Sequence, residues 1–143
     1  MTTRIIDVNS AVVLPHDAAL ALLAGERMWM CTLNGLSAYQ MYRRHVGVPV
    51  RGNEVVDYLL KNAHFPRSVL FCLAAIEGCL SALPEHQAAM KKLRQAWRRV
   101  EGMRLHDLKP TVLHEYLDQV QSDLGEIHDA VAGQHFHLYR DTR

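Results

Sequence analysis

Two histidines near the C-terminus come closest to a spacing that could support general acid–base chemistry. His114 lies four residues before Asp118, and His128 is followed directly by Asp129. Residues four apart share one face of a helix, so such a pair could transfer a proton, but the same contact is equally an ordinary ion pair. Because the sequence places no nucleophile beside either histidine, we assign no catalytic residue.

The nine histidines also raise the question of a metal site. His114 and His128 are fourteen residues apart, which is about 21 Å along a helix and too far to share one ion. His135 and His137 point to divergent faces of a helix, and no Glu-x-x-His pair of the kind used by di-iron bundles is present. The sequence therefore predicts no metal and, since it lacks a phosphate-binding glycine loop, no nucleotide cofactor.

A candidate anion-binding site follows from residues 65–68, where Pro66 predicts the first position of a helix. A helix N-terminus is partially positive, so a cation such as Arg67 in the first turn indicates a nearby anion. That anion is either a ligand carboxylate or phosphate bound by Arg67 and Ser68, or a carboxylate of the chain itself. The internal candidates are Glu54, Asp57 and a carboxylate of a neighbouring helix.

Aromatic and basic side chains are clustered at the predicted end of an earlier helix, at Tyr39, Tyr42, Arg43 and Arg44. Tyr39 and Arg43 are four residues apart and can stack, and cations near a helix C-terminus are favoured by its partial negative charge. Two interpretations of the cluster remain open: its residues cap and pack the end of the helix, or they bind a ligand. The ligand-binding hypothesis thus comprises Arg67, Ser68, Tyr39 and Arg43.

The three cysteines are predicted to be buried, reduced thiols. Cys72 and Cys79 are two turns apart on one predicted helix, about 10 Å of rise, which is too far for a disulfide. The N-terminus has no apolar signal core, and no run approaches the roughly 20 apolar residues that span a bilayer. We expect a cytoplasmic protein that does not associate with membranes.

Apolar residues recur at helical spacing along the whole chain, whereas strand signals are weak, which predicts an all-α fold. A first helix with Ile5 and Ile6 ends at Pro15, and a long helix runs from about Ala18 to His45. Leu22, Trp29, Leu33 and Leu36 form its predicted buried stripe. Asn53, Pro66, Pro84 and Pro110 are predicted to begin the four later helices.

The apolar stripes of these later helices predict how they pack. They comprise Val55, Val56, Leu59 and Leu60; Val69, Leu70, Leu73, Ile76 and Leu80; Met90, Leu93, Trp97 and Val100; and Leu113, Leu117, Val120, Leu124, Ile127 and Val131. Short connections favour antiparallel neighbours, so we expect one domain over residues 1–143, an antiparallel bundle of about five to six helices.

The charges of the last two long helices are opposite, which predicts that these helices pair. The first of them carries Lys91, Lys92, Arg94, Arg98, Arg99 and Arg104 against Glu101 alone, and the second carries Glu115, Asp118, Asp123, Glu126 and Asp129. A basic helix face is also typical of RNA binding. The net charge of the chain is only +1, no aromatic platform is interleaved and acidic residues are nearby, so we expect no nucleic acid.

Four colinear stretches resemble one family: MTTRIIDV at 1–8, LSAYQMYRRHV at 36–46, HFPRSVLFCL at 64–73 and LHEYLDQVQSDLGEIHDAV at 113–131. They are similar to the C-terminal half of alpha-E proteins, all-helical bacterial proteins named for a Glu-Arg motif. In that family the motif lies just upstream of the stretch that matches residues 1–8. Glu26-Arg27 of this chain stands in a different context, so the resemblance implies a half-protein without the naming motif.

The resemblance implies a functional setting rather than catalytic residues. Alpha-E proteins accompany ATP-grasp ligases of the circularly permuted type, often beside transglutaminase-like proteins, in the making or processing of amide-linked peptides. We therefore expect a non-catalytic accessory module whose partner is the ligase or the missing N-terminal half. The alternative is a peptide- or small-anion-binding domain, or an enzyme, with a pocket near Arg67 and Tyr39.

The apolar residues of the first helix also predict self-association. Ile5, Ile6, Val12 and Val13 would leave an exposed apolar patch if the first helix had no cover within the chain. We expect a homo-oligomer whose interface includes this helix.

Overall fold

Seven α-helices and no strand are present in the computed structural model, which describes residues 1–10, 18–47, 49–104 and 110–136. The helices are α1 (Thr2–Ser10), α2 (Ala18–Gly35), α3 (Tyr39–His45), α4 (Gly52–Lys61), α5 (Val69–Ser81), α6 (Gln87–Gly102) and α7 (Pro110–His135). The prediction of an all-α bundle is confirmed. Of the helices described, none is both long and apolar enough to cross a membrane.

The predicted long second helix is in fact two helices, which accounts for the additional element. α2 ends at Gly35, and Ser37 adopts a positive φ of 55° before α3 begins. The turn is closed by the Ala38 N–H, which donates to the Leu33 carbonyl at 2.7 Å. The periodicity of the apolar residues does not predict a left-handed backbone conformation at Ser37. The predicted helix was therefore extended through the turn.

The predicted helix starts are wrong at three of the four positions. α4 begins at Gly52 rather than being capped by Asn53, and α5 and α6 begin at Val69 and Gln87, three residues after Pro66 and Pro84. A proline fixes φ in a turn as well as in the first turn of a helix. Pro66 and Pro84 therefore lie in the loops before α5 and α6 and not at the first helical positions. Pro110 does begin α7, as predicted.

The α6–α7 hairpin forms as the charges predicted. Lys92 Nζ lies 2.6 Å from Glu126 Oε2, and Arg99 Nε lies 2.5 Å from Asp123 Oδ2. Partner numbers fall along α7 as they rise along α6, so the two helices are antiparallel. The buried positions between them include most of the predicted stripes, namely Leu93, Val100, Leu113, Leu117, Val120 and Ile127.

The first helix packs onto its own chain. Ile6 is fully buried, Arg4 Nε donates to Gln121 Oε1 at 3.2 Å, and Thr2 Oγ1 donates to the Arg67 carbonyl at 2.9 Å. The apolar face of α1 at Ile6 is therefore covered without a second chain, while Val12, Val13 and Pro15 lie outside the described residues. Self-association stays a prediction, but exposure of Ile6 is no longer a reason for it, because Ile6 is buried within the chain.

The cysteines are not buried as predicted. Cys31, Cys72 and Cys79 are free thiols, and all three are exposed. The prediction failed because α5 is apolar around most of its circumference, so its sequence does not distinguish the face that packs from the face that carries Cys72 and Cys79.

Candidate functional site

Arg67 is held by a backbone carbonyl and not by a carboxylate. Its Nη1 donates to the Leu36 carbonyl oxygen at 2.7 Å, in the turn between α2 and α3. Among the described residues, no carboxylate forms an ion pair with Arg67: Glu54 contacts Arg51 and Asp57 contacts Lys61. The predicted ion pair with Glu54 or Asp57 is wrong: carbonyls at the end of a helix need donors, and the guanidinium supplies one.

Ser68 is a buried helix cap. Its Oγ accepts a hydrogen bond from the Phe71 N–H at 3.1 Å and donates to the Asn62 carbonyl. The Asn62 side chain in turn accepts from the backbone N–H groups of His64 and Phe65, at 2.9 and 2.8 Å. The loop before α5 thus satisfies its own polar groups, and Ser68 is not presented to a ligand.

Tyr39 and Arg43 stack on the outside of α3, as their spacing predicted. The guanidinium carbon lies 5.8 Å from the centroid of the Tyr39 ring. Tyr42 points inward instead, with its ring 5.4 Å from that of Tyr58 in an edge-on contact. Burial, together with the nearby charge of Glu54, raises the pKa of Tyr42 to about 12. The structure brings Arg67 to the turn that precedes Tyr39, but the buried Ser68 is not part of one open pocket with them.

His114 is exposed and is contacted by two carboxylates from different helices. Its Nδ1 lies 2.7 Å from Asp7 Oδ1 on α1, and its Nε2 lies 3.5 Å from Asp118 Oδ2 on α7. The sequence predicted the Asp118 contact and missed Asp7, which is 107 residues away along the chain. One ligand atom from each residue lies within 4.8 Å of the others, a spacing that would also suit a cation. The absence of a bound metal stays a prediction.

The pKa of His114 is raised by the hydrogen bond to Asp7 and by the charges of Asp7 and Asp118. Protonated His114 therefore stabilises the fold below its ordinary pKa of 6.5, and this contribution is lost as the pH rises through the raised folded value. NMR titration of the imidazole should give a pKa above 6.5 that falls in Asp7→Asn. An unchanged pKa in Asp7→Asn would contradict the α1–α7 contact.

An open apolar groove of about 650 Å³ runs between α2 and the start of α4. It is lined by Ala21, Leu22, Gly25, Glu26, Trp29, Pro49, Val50, Arg51 and Gly52. We call it the α2 groove. Leu22 is 75 % exposed, although it was predicted to be core, and Trp29 is half-buried. The missed signal is the pair Leu22-Leu23, since adjacent residues of a helix do not share a face.

A second groove, of about 700 Å³, lies on α6. It is lined by His86, Gln87, Met90, Lys91, Arg94, Gln95, Arg98 and Arg99, and we call it the α6 groove. A smaller one of about 240 Å³ lies beside it towards α5, lined by Glu77, Leu93, Arg94, Trp97 and Arg98. None of the four predicted ligand-binding residues lines any of these three grooves.

Comparison with known families agrees with this all-helical architecture. The family model named Alpha-E, described as a predicted alpha-helical domain with a conserved ER motif, matches residues 1–136. The chain belongs to the Alpha-E family. Among curated proteins and among solved structures, no match was found.

Glu26, the first residue of the Glu26-Arg27 dipeptide, lines the α2 groove of this Alpha-E chain. Glu26 is half-buried and its Oε1 accepts from the Val50 N–H at 3.4 Å, whereas Arg27 is exposed. Glu26 therefore links α2 to the segment before α4, and it does so within the groove lined by Leu22 and Trp29.

Proposed function

We propose that this Alpha-E chain is a non-catalytic interaction module that assists an ATP-grasp ligase in a peptide or amide-bond system that also includes transglutaminase-like proteins. The observation that carries the proposal is the α2 groove. Leu22 is exposed there, and the half-buried Trp29 lines the same groove. Exposed apolar surface beside a tryptophan is typical of protein–protein contact sites, because aromatic anchors supply much of the binding energy.

The alternative, a peptide- or anion-binding pocket near Arg67 and Tyr39, has less support. Arg67 and Ser68 already make internal hydrogen bonds. His114 is likewise engaged by carboxylates on both sides. A ligand at these residues would have to replace contacts that fix the turn after α2, the start of α5 and the packing of α1 on α7.

Co-purification with an affinity-tagged ATP-grasp ligase tests the proposal. We expect the wild-type chain to be retained and Leu22→Asp to reduce retention about tenfold, since a charge in an apolar contact is strongly unfavourable. Phe136→Asp is the matched control, because Phe136 and Leu22 are both 75 % exposed and Phe136 lies at the far end of α7.

Two results would contradict this proposal. One is a wild-type chain that is not retained by the ligase. The other is an equal loss in Leu22→Asp and Phe136→Asp, which would separate binding from the α2 groove. Circular dichroism of both variants verifies that each is folded.

A further inference from the structure

The basic residues of α6 fall into two sets with different surroundings. Lys92 and Arg99 face α7 and pair with Glu126 and Asp123. The second set is exposed, and none of its members makes an ion pair or a hydrogen bond with a described residue. It comprises Lys91, Arg94 and Arg98, which we call the basic stripe. Spacings of three and four residues place all three on one face of α6.

The described residues that line the groove around the basic stripe include hydrogen-bond donors and no carboxylate. The amides of Gln87 and Gln95 and the imidazole of His86 line it together with the three cations of the stripe, Met90 contributes apolar surface, and Arg99, which pairs with Asp123, lines it as well. Glu77 lines the smaller neighbouring groove and the exposed Glu101 lies three residues after Arg98 on α6, and in the described chain neither forms an ion pair with Arg94 or Arg98. Three cations one turn apart repel one another, so an anionic partner would stabilise this face.

The α6–α7 hairpin shows which kind of partner fits such a helix. Lys92 and Arg99 are seven residues apart and are met by carboxylates of an antiparallel helix. Lys91 and Arg98 repeat this spacing one residue earlier, which turns them by about 100° around α6. The basic stripe thus offers on the outside of the bundle the cation spacing that α7 already satisfies on the inside.

We propose that the basic stripe docks an acidic helix of a partner protein, with carboxylates at spacings of three and four residues. The proposal rests on the proposed interaction function and names a second contact surface for it. Charge complementarity selects the occupant, and Arg94 between the other two cations adds a third pair. RNA is disfavoured because the net charge is only +1 and because no Trp, Tyr or Phe is among the described residues that line the α6 groove; Trp97 is half-buried and lines the smaller groove beside it.

Fluorescence anisotropy with the full chain and a labelled, alanine-based helical peptide tests the stripe. The peptide carries three glutamates at spacings of three and four, and a second peptide has the same composition with the glutamates distributed around the helix. At about 0.15 M ionic strength we expect the matched peptide to bind about tenfold more tightly, with binding weakened by added salt.

The double variant Lys91→Glu/Arg98→Glu is expected to bind the matched peptide about tenfold or more weakly than the wild-type chain. Arg44→Glu/Arg104→Glu makes the same change in net charge at exposed arginines outside the α6 groove and should alter binding by no more than about twofold. Equal binding of the two peptides, equal loss in the two variants, or tighter binding of a single-stranded RNA than of the peptide would each overturn the proposal.

The peptide-binding and ligase-retention experiments together separate this inference from the proposed function. If the ligase is retained by the wild-type chain but the matched peptide does not bind, the proposal that the basic stripe docks an acidic helix is wrong and the interaction function stands. If the matched peptide binds selectively but the ligase is never retained, the acidic-helix site stands and the ligase assignment is wrong.

Discussion

Replacing Arg99 with methionine is expected to lower the free energy of unfolding by about 3 kcal/mol. The carboxylate of Asp123 is only 1 % exposed, and Arg99 Nε lies 2.5 Å from it. Without the guanidinium, the hydrogen bond from Gln119 Nε2 at 3.4 Å is the one that the buried carboxylate would retain among the described residues. We choose the lower end of the range for a broken buried pair because the Arg99 side chain is 34 % exposed. Urea unfolding monitored by circular dichroism measures the change.

Lys92→Met is the matched control for Arg99→Met. The Lys92–Glu126 pair joins the same two helices, but both of its side chains are about two-fifths exposed, so its loss should cost no more than about 1 kcal/mol. The double variant Arg99→Met/Asp123→Leu should recover much of the stability, since it removes the unpaired charge. Equal costs for Arg99→Met and Lys92→Met would show that burial of Asp123 is not what matters.

Gly52→Ala is expected to destabilise the protein by about 1–3 kcal/mol. A Cβ at this position would lie 2.5 Å from Trp29 Nε1 and 2.9 Å from its Cε2, so the indole would have to move. Alanine otherwise favours a helix over glycine by about 1 kcal/mol, and the predicted effect therefore has the opposite sign from helix propensity. Urea unfolding and the emission maximum of tryptophan fluorescence report the two consequences.

Gly78→Ala is the control for this substitution. Gly78 lies within α5, and nothing is within 4 Å of the position its Cβ would take. We expect this variant to be unchanged or more stable by up to about 1 kcal/mol. A Gly52→Ala protein as stable as Gly78→Ala, with unaltered tryptophan emission, would contradict the contact between α4 and Trp29.

Much of the fold could be predicted because burial in a helix follows from apolar residues three and four positions apart. Leu113, Leu117, Val120 and Ile127 of the α7 stripe and the four apolar residues from Val55 to Leu60 are buried at the predicted positions, while Leu124 is partly buried. The breaks were harder, because they depend on single backbone conformations. The positive φ of Ser37 ends α2 in a sequence that continues the helical pattern.

The candidate site was less predictable, because its contacts join residues that are distant in sequence. Asp7 reaches His114 only because α1 packs on α7, and Arg67 reaches the Leu36 carbonyl only because the loop before α5 lies beside the turn after α2. The anion argument for Arg67 considered carboxylates as its acceptors and left out backbone carbonyls. Local pairs such as Tyr39 with Arg43 were predicted correctly, since helix geometry alone brings them together.

Titration of a purified ATP-grasp ligase with this chain, with ATP consumption as the readout, tests the central claim most directly. The account predicts that ligase turnover changes with added chain and levels off near one chain per ligase, while the chain alone consumes no ATP. With the Leu22→Asp variant, a higher concentration of the chain should be needed for the same change in ligase turnover. Turnover by the chain without the ligase, or a ligase rate that is indifferent to a stoichiometric amount of folded chain, would contradict an accessory role.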